Sequence, residues 1–166
     1  MESRNYKIWL SVEDERRCGV CRKKQGKLVA VGESEAPPAH VRCRCRLKWA
    51  EAKIVGTATN SGMRGADWWL KTYGKLPPNY ISVEEAKEKG WRSVLGNLDS
   101  VAPGRVIGGR VFQNRNEPLP TADGRIWYEA DINYSGGYRG QERILYSNDG
   151  LLFASYDHYR TFVELI

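Results

Sequence analysis

The hydrophobic period of this chain changes once, and that change restricts the fold more than any other feature of the sequence. Ala66, Trp69, Leu70 and Tyr73 recur at helical spacing, forming one face of a helix that stops at Gly74. Ser82-Val83-Glu84-Glu85 has the spacing of a capping box and starts a second helix, which ends at Gly90. A short third helix fits Asn97 to Val101, before Pro103-Gly104. From Val106 onward the period is two: Ile126, Tyr128, Ala130 and Ile132 alternate with Trp127, Glu129, Asp131 and Asn133. Further strands fit Arg143–Ser147 and Leu151–Ser155, with Gly136-Gly137 and Asn148-Asp149-Gly150 as turns. Helices followed by an antiparallel meander predict an α+β domain, its N-terminal helices packed on a twisted antiparallel sheet.

The first third of the chain obeys different chemistry. Its four cysteines are Cys18 and Cys21, a C-x-x-C pair, and Cys43 and Cys45, with His40 just ahead of the second pair. Two short ligand pairs separated by a loop suit a tetrahedral ion such as zinc. The set is either four thiolates or three thiolates with His40 replacing Cys43 or Cys45. Two disulfides, or free thiols in a small core, are the alternatives; disulfides require an oxidising compartment. A segment this short with few large apolar groups needs such a staple to fold alone. Lys and Arg at 16, 17, 22, 23, 42, 44 and 46 would offset the negative charge of a four-thiolate site.

The boundary reads from composition. Residues 1–50 form the cysteine/histidine module; residues 51–62, ending Gly56-Thr57-Ala58-Thr59-Asn60-Ser61-Gly62, form a linker; residues 63–166 form the second domain. Residues 1–56 carry 13 Lys and Arg against 7 Asp and Glu, which accounts for the whole net charge of +6. Such asymmetry points to an anionic partner such as nucleic acid. Apolar residues at 41% and charged residues at 28% exclude wholesale disorder. No run approaches the roughly 18 apolar residues of a membrane span, and no apolar h-region follows Met1. The expectation is a chain made in the cytoplasm, without a secretory signal and without a membrane partner.

His158 is the one histidine outside the cysteine cluster. Glu129 lies mid-strand, Arg143 on the next strand and Arg139 at the hairpin beside it. Pairing of antiparallel strands can bring Glu129 and Arg143 onto one face. A carboxylate, an imidazole and two guanidiniums suit phosphodiester transesterification on RNA, which carries its own 2′-OH nucleophile. The carboxylate takes the proton, the imidazole protonates the leaving oxygen, and the arginines hold the charge of the phosphorane. No catalytic cofactor is needed. The plainer alternative is an exposed Glu129–Arg143 ion pair and a surface histidine.

Residues 57–166 resemble the barnase family of guanyl-preferring microbial ribonucleases, collinearly and without evident gaps. The matching stretches include Lys75-Leu76-Pro77-Pro78-Asn79-Tyr80-Ile81, Ile107-Gly108-Gly109, Glu129-Ala130-Asp131-Ile132-Asn133-Tyr134, Arg143-Ile144-Leu145-Tyr146-Ser147 and Asp157-His158-Tyr159. The resemblance implies the microbial ribonuclease fold, with Glu129 as general base, His158 as general acid, and Arg139 and Arg143 as phosphate clamps. It places Tyr159 beside the acid and a guanine-binding loop at Phe112-Gln113-Asn114-Arg115. Two positions depart from the family pattern. Val83 stands where the family has a lysine, with Arg110 nearby in place of an acid, and Asn116 stands at the guanine-binding carboxylate, with Glu117 one step later.

Lys7-Ile8-Trp9, Asp14, the C-x-x-C and Pro37-Pro38-Ala39-His40-Val41-Arg42-Cys43-Arg44-Cys45 resemble the C-terminal end of phage head-morphogenesis proteins. Together the resemblances imply a metal-independent endoribonuclease toxin fused to a zinc-stabilised module. Its substrate is RNA, its partner an acidic barstar-like inhibitor, and its context delivery to target cells or packaging in a phage-like particle. The rival expectations are a non-catalytic RNA-binding or head-assembly protein, and a metal-dependent nuclease using the cysteine cluster.

Overall fold

A computed structural model describes residues 4–166. The chain forms two compact units that are not collinear with the sequence. One comprises residues up to Ala52 together with Asn114–Gly124; the other comprises Lys53–Gln113 and Arg125–Ile166.

The first unit is built on a three-stranded antiparallel sheet. β1 (Tyr6–Leu10) lies between β2 (Leu28–Ala30) and β3 (Arg46–Trp49). Trp9 on the central strand is almost completely buried, and Tyr6, Leu28, Val29 and Ala50 are buried as well. Lys24 Nζ stands 4.9 Å over the Trp9 ring, a cation–π contact. Between β1 and β2, Cys18 caps α1 (Gly19–Lys24). One helical turn therefore carries Cys18 and Cys21 to the same side, the structural use of a C-x-x-C spacing.

The second unit meets the α+β expectation, with its helices preceding the antiparallel meander. α2 (Ala66–Tyr73) ends at Gly74, whose left-handed φ of 67° closes the helix. α3 (Val83–Glu88) begins with the reciprocal Ser82–Glu85 capping box, and α4 (Leu98–Val101) is the short third helix. The sheet strands are β4 (Ala52–Lys53), β5 (Tyr80–Ile81), β6 (Val106–Phe112), β7 (Trp127–Asp131), β8 (Arg143–Ser147), β9 (Leu152–Ser155) and β10 (Val163–Leu165). They run in the order β4-β10-β9-β8-β7-β6-β5. The meander β6 to β10 is antiparallel. The short strand β5 pairs in parallel with β6, which local alternation could not indicate. Leu70 of α2 packs with Ala130, Ile144, Leu152, Ala154 and Leu165, while Ala86, Trp91, Leu98 and Ile107 form a second cluster.

Residues 53–62, expected to be a linker, are built into this second unit. Ile166 donates to the Lys53 carbonyl, and Val55 donates to the Ile166 carbonyl. The buried Asp67 carboxylate accepts from the backbone N–H of Gly56 (2.7 Å) and of Ala58 (3.0 Å). Small polar residues there are a turn threaded over a buried acid, which composition alone makes look like a tether. Gly108 has a different role: a Cβ there would lie 2.6 Å from Ala130 and from Tyr80, so only glycine lets β6 and β7 close at that point.

Candidate active site

The site begins with the register of β7. Glu129 lies opposite Leu145 on β8, and Arg143 lies opposite Asp131. Glu129 and Arg143 share a face of the sheet, and the plainer alternative, a Glu129–Arg143 ion pair, is not formed. The partner of Arg143 is Asp131, two residues along β7 from Glu129 and therefore on the same face. Arg139 binds the Asp131 carboxylate in bidentate fashion, through Nε at 2.6 Å and Nη2 at 2.7 Å. Arg143 Nε approaches the same carboxylate at 3.0 Å as a charge contact, without the alignment of a hydrogen bond. Its Nη1 donates to the carbonyls of Gly140 and Glu142. Asp131 is buried, and it fixes both guanidiniums. Asp131 has no part in the function read from the sequence, although its position two residues after Glu129 was available as a signal.

Glu129 is half-buried, and its Oε2 accepts a 2.6 Å hydrogen bond from Tyr159 Oη. Burial first, and then this carboxylate, push the Tyr159 phenol well above its ordinary pKa. The His158 ring is exposed and sits 4.9 Å from the Tyr159 ring, and Phe112 stacks on Tyr159 at 5.3 Å. His158 and Tyr159 both take left-handed backbone conformations, with φ of 58° and 68°. Two consecutive non-glycine residues in that region are strained unless the surroundings hold them. Asp157 does so: its Oδ1 accepts from Ser155 Oγ and from the N–H of Arg160 and Thr161, its Oδ2 accepts from Thr161 Oγ1, and Ser155 Oγ accepts from the N–H of Tyr159. The turn thus brings the Tyr159 phenol onto Glu129 and holds the His158 imidazole next to that phenol.

The expected base-recognition loop is divided. Phe112 and the exposed Gln113 belong to the second unit, whereas Asn114 to Glu117 belong to the first. Asn114, Asn116 and Glu117 are all left-handed. The Asn114 side chain closes its own loop, accepting from Leu119 N–H at 3.0 Å and donating to the Leu119 carbonyl at 2.9 Å. Arg115 is exposed, and Glu117 lies 3.9 Å from Lys27.

In the first unit, His40 Nε2 lies 3.1 Å from Cys18 Sγ and 3.0 Å from Cys21 Sγ, and Cys21 Sγ lies 3.9 Å from Cys43 Sγ. The donor atoms fall into two overlapping groups, Cys18/Cys21/His40 and Cys21/Cys43/Cys45, each within 4.8 Å. All four cysteines are free thiols. His40 Nδ1 is 2.7 Å from the Val41 carbonyl, which fixes the tautomer that leaves the Nε2 lone pair facing the thiols. Asp14 and Arg44 form a bidentate ion pair at 2.6 and 2.7 Å; the Arg44 guanidinium holds the Asp14 carboxyl down at about 2.

A mixed α+β domain, with a half-buried carboxylate bonded to a phenol, an exposed imidazole next to that phenol, and two guanidiniums anchored on an aspartate of the carboxylate's own sheet face, has the groups of a nuclease. A family model described as ribonuclease matches residues 69–166, more than half of the chain, and the chain belongs to that family. It is 49% identical over 100 residues to a ribonuclease of Heyndrickxia coagulans, covering 60% of this chain and 91% of the relative. Over 134 residues it is 49% identical to ribonucleases of Bacillus intermedius and Bacillus pumilus, covering 70% of this chain and 83% of each relative. The protein is an endoribonuclease.

Proposed function

We propose that the second unit cleaves single-stranded RNA by acid–base transesterification, without a catalytic metal. Glu129 takes the proton of a ribose 2′-OH, O2′ bonds to phosphorus, and the P–O5′ bond breaks as His158 protonates O5′. The product is a 2′,3′-cyclic phosphate. A water then opens it to a 3′-phosphate with the two roles reversed. Arg139 and Arg143 oppose the charge that develops on the phosphoryl oxygens. The observation that carries this reading is the 2.6 Å Tyr159–Glu129 hydrogen bond, which occupies Oε2 with a donor and so presents Glu129 as an acceptor. Incubation of purified protein with single-stranded RNA in EDTA is expected to yield cyclic-phosphate ends. Glu129→Ala and His158→Ala should each abolish them; binding without cleavage in the unaltered protein would overturn the proposal.

Guanine preference belongs to the same reading. Backbone N–H groups of Phe112 to Arg115 would face the base; with Asn116 at the carboxylate position, either Glu117 supplies the acceptor for its N–H edge or the preference is weakened. Comparing kcat/KM for GpX and ApX dinucleotides tests this; equal values would remove the preference. An unrestrained ribonuclease made in the cytoplasm would attack the RNA of its own cell. That motivates a toxin role and an acidic, barstar-like inhibitor covering Arg139, Arg143 and His158. Co-expression should give a stable complex on gel filtration. The phage-head-like motif in the first unit points to delivery or packaging.

For the first unit we infer a structural zinc ion. The residues fit it: soft donors, a fixed His40 tautomer, and a Cys21–Cys43 separation of 3.9 Å against the about 3.8 Å edge of a tetrahedral thiolate site. Cys18, Cys21, His40, Cys43 and Cys45 offer five donors for four positions, and Arg16, Arg17, Arg42 and Arg44 line the site and temper its charge. Such an ion supplies folding free energy. Metal analysis of the purified chain should give one zinc per molecule, diminished in Cys21→Ser.

A further inference from the structure

Beside the acid–base pair the second unit has an open groove of about 690 Å³, lined among others by Val83, Lys87, Trp91, Arg92, Arg110 and Arg139. Four of these are cations, and they are not equivalent. Arg139 is committed to Asp131. Lys87, Arg92 and Arg110 are exposed, and among the described residues their side chains make no ion pair and no hydrogen bond. Three cations gathered in one groove repel one another and create a positive potential that a neighbouring acid would normally cancel.

Their position relative to the chemistry is fixed by the backbone. Gly109, with φ of 87°, makes the bulge at which the β6–β7 register shifts between Gly108 and Arg110. The bulge sets Arg110 directly opposite Glu129 in the ladder. Facing residues of paired strands lie on the same side of a sheet, so Arg110 projects from the face that carries Glu129. A bulge beside a functional carboxylate re-aims a side chain in this way.

We propose that this groove is a phosphate subsite for the RNA strand, in which Arg110 contacts the reacting phosphodiester and Lys87 and Arg92 contact flanking phosphates. The proposal rests on the ribonuclease reading and adds three residues to it. Val83 lines the same groove with a short apolar side chain, so a lysine at that position would present an ammonium to the same space and offers a rescue.

The test is steady-state cleavage of a ribodinucleotide and a twelve-nucleotide RNA by four proteins: unaltered, Arg110→Ala, Lys87→Ala/Arg92→Ala and Arg110→Ala/Val83→Lys. Circular dichroism and the urea midpoint check that these exposed substitutions leave the fold intact. Arg110→Ala should lower kcat/KM on both substrates at least about tenfold, chiefly through kcat, as loss of one transition-state donor does. Val83→Lys should restore part of that loss. Lys87→Ala/Arg92→Ala should raise KM for the longer RNA only and flatten the log–log salt dependence by about 1.4, the contribution of two phosphate contacts on a single strand. Values within twofold of the unaltered protein for Arg110→Ala on both substrates would overturn the subsite. An effect on the longer RNA alone would overturn the assignment of Arg110 to the reacting phosphate. If the unaltered protein cleaves neither substrate, the ribonuclease reading fails separately. Fluorescence anisotropy of a labelled oligodeoxynucleotide then decides the groove: weaker binding in Lys87→Ala/Arg92→Ala/Arg110→Ala supports it, and unchanged binding refutes it.

Discussion

Asp131 sets the electrostatics of the site from beneath. It is almost completely buried, and two guanidiniums converge on it. Removing one partner of a buried charge network is far more costly than the network is worth in total, because a charge is left without compensation. Asp131→Asn should therefore destabilise the protein by about 3 kcal/mol or more in urea unfolding and lower cleavage together with stability. A loss well under 1 kcal/mol would mean that solvent, not Asp131, holds Arg139 and Arg143. Tyr159 gives a pH test with a definite sign. Its folded pKa is raised by burial and by Glu129, above the ordinary value of 10. The neutral phenol therefore favours the folded state, fully so below pH 10, and this contribution is lost as pH rises through the elevated folded value. Ultraviolet titration should reveal a late-ionising tyrosine that Tyr159→Phe removes; a phenol titrating near 10 would break the inferred Tyr159–Glu129 coupling.

At the scale of elements, local and non-local devices behaved differently. The Ser82–Glu85 capping box could be predicted because a cap is written in four consecutive residues, and the structure contains it. Ser82→Ala should cost about 1 kcal/mol of stability, measured by denaturant midpoint. The 155–161 turn is the opposite case. Asp157 stands next to His158 in sequence, yet its role as the acceptor at the centre of the turn emerges only once Ser155, Arg160 and Thr161 fold around it. Asp157→Ala should keep the fold while lowering kcat about a hundredfold, since a displacement of about 1 Å at a catalytic group has that effect. An unchanged kcat would show that the left-handed pair His158–Tyr159 holds itself.

The whole molecule is organised as two units whose boundary crosses the sequence three times. If a metal ion organises the first unit, chelation should raise hydrogen exchange in residues 4–52 and in Asn114–Gly124 together. Lys53–Gln113 should remain protected, and cleavage in EDTA should persist. Exchange rising in residues 4–52 alone would separate the Asn114–Gly124 segment from the unit that holds it.

The sequence by itself determined the helices and the central antiparallel strands of the second unit and the side chains they carry: a helical period giving way to alternation, a cap, a C-x-x-C, one imidazole outside the cysteine cluster and the mid-strand carboxylate of Glu129. Those features are set by neighbours within a few residues, where propensity and side-chain spacing are decisive. Pairings between residues distant in sequence were decided only by tertiary structure. Arg143 meets Asp131 rather than Glu129, Asp67 gathers the residues that composition assigns to a linker, and the Gly109 bulge brings Arg110 opposite Glu129. Each depends on strand register or on burial, and a shift of one residue would reverse every side chain on the strand.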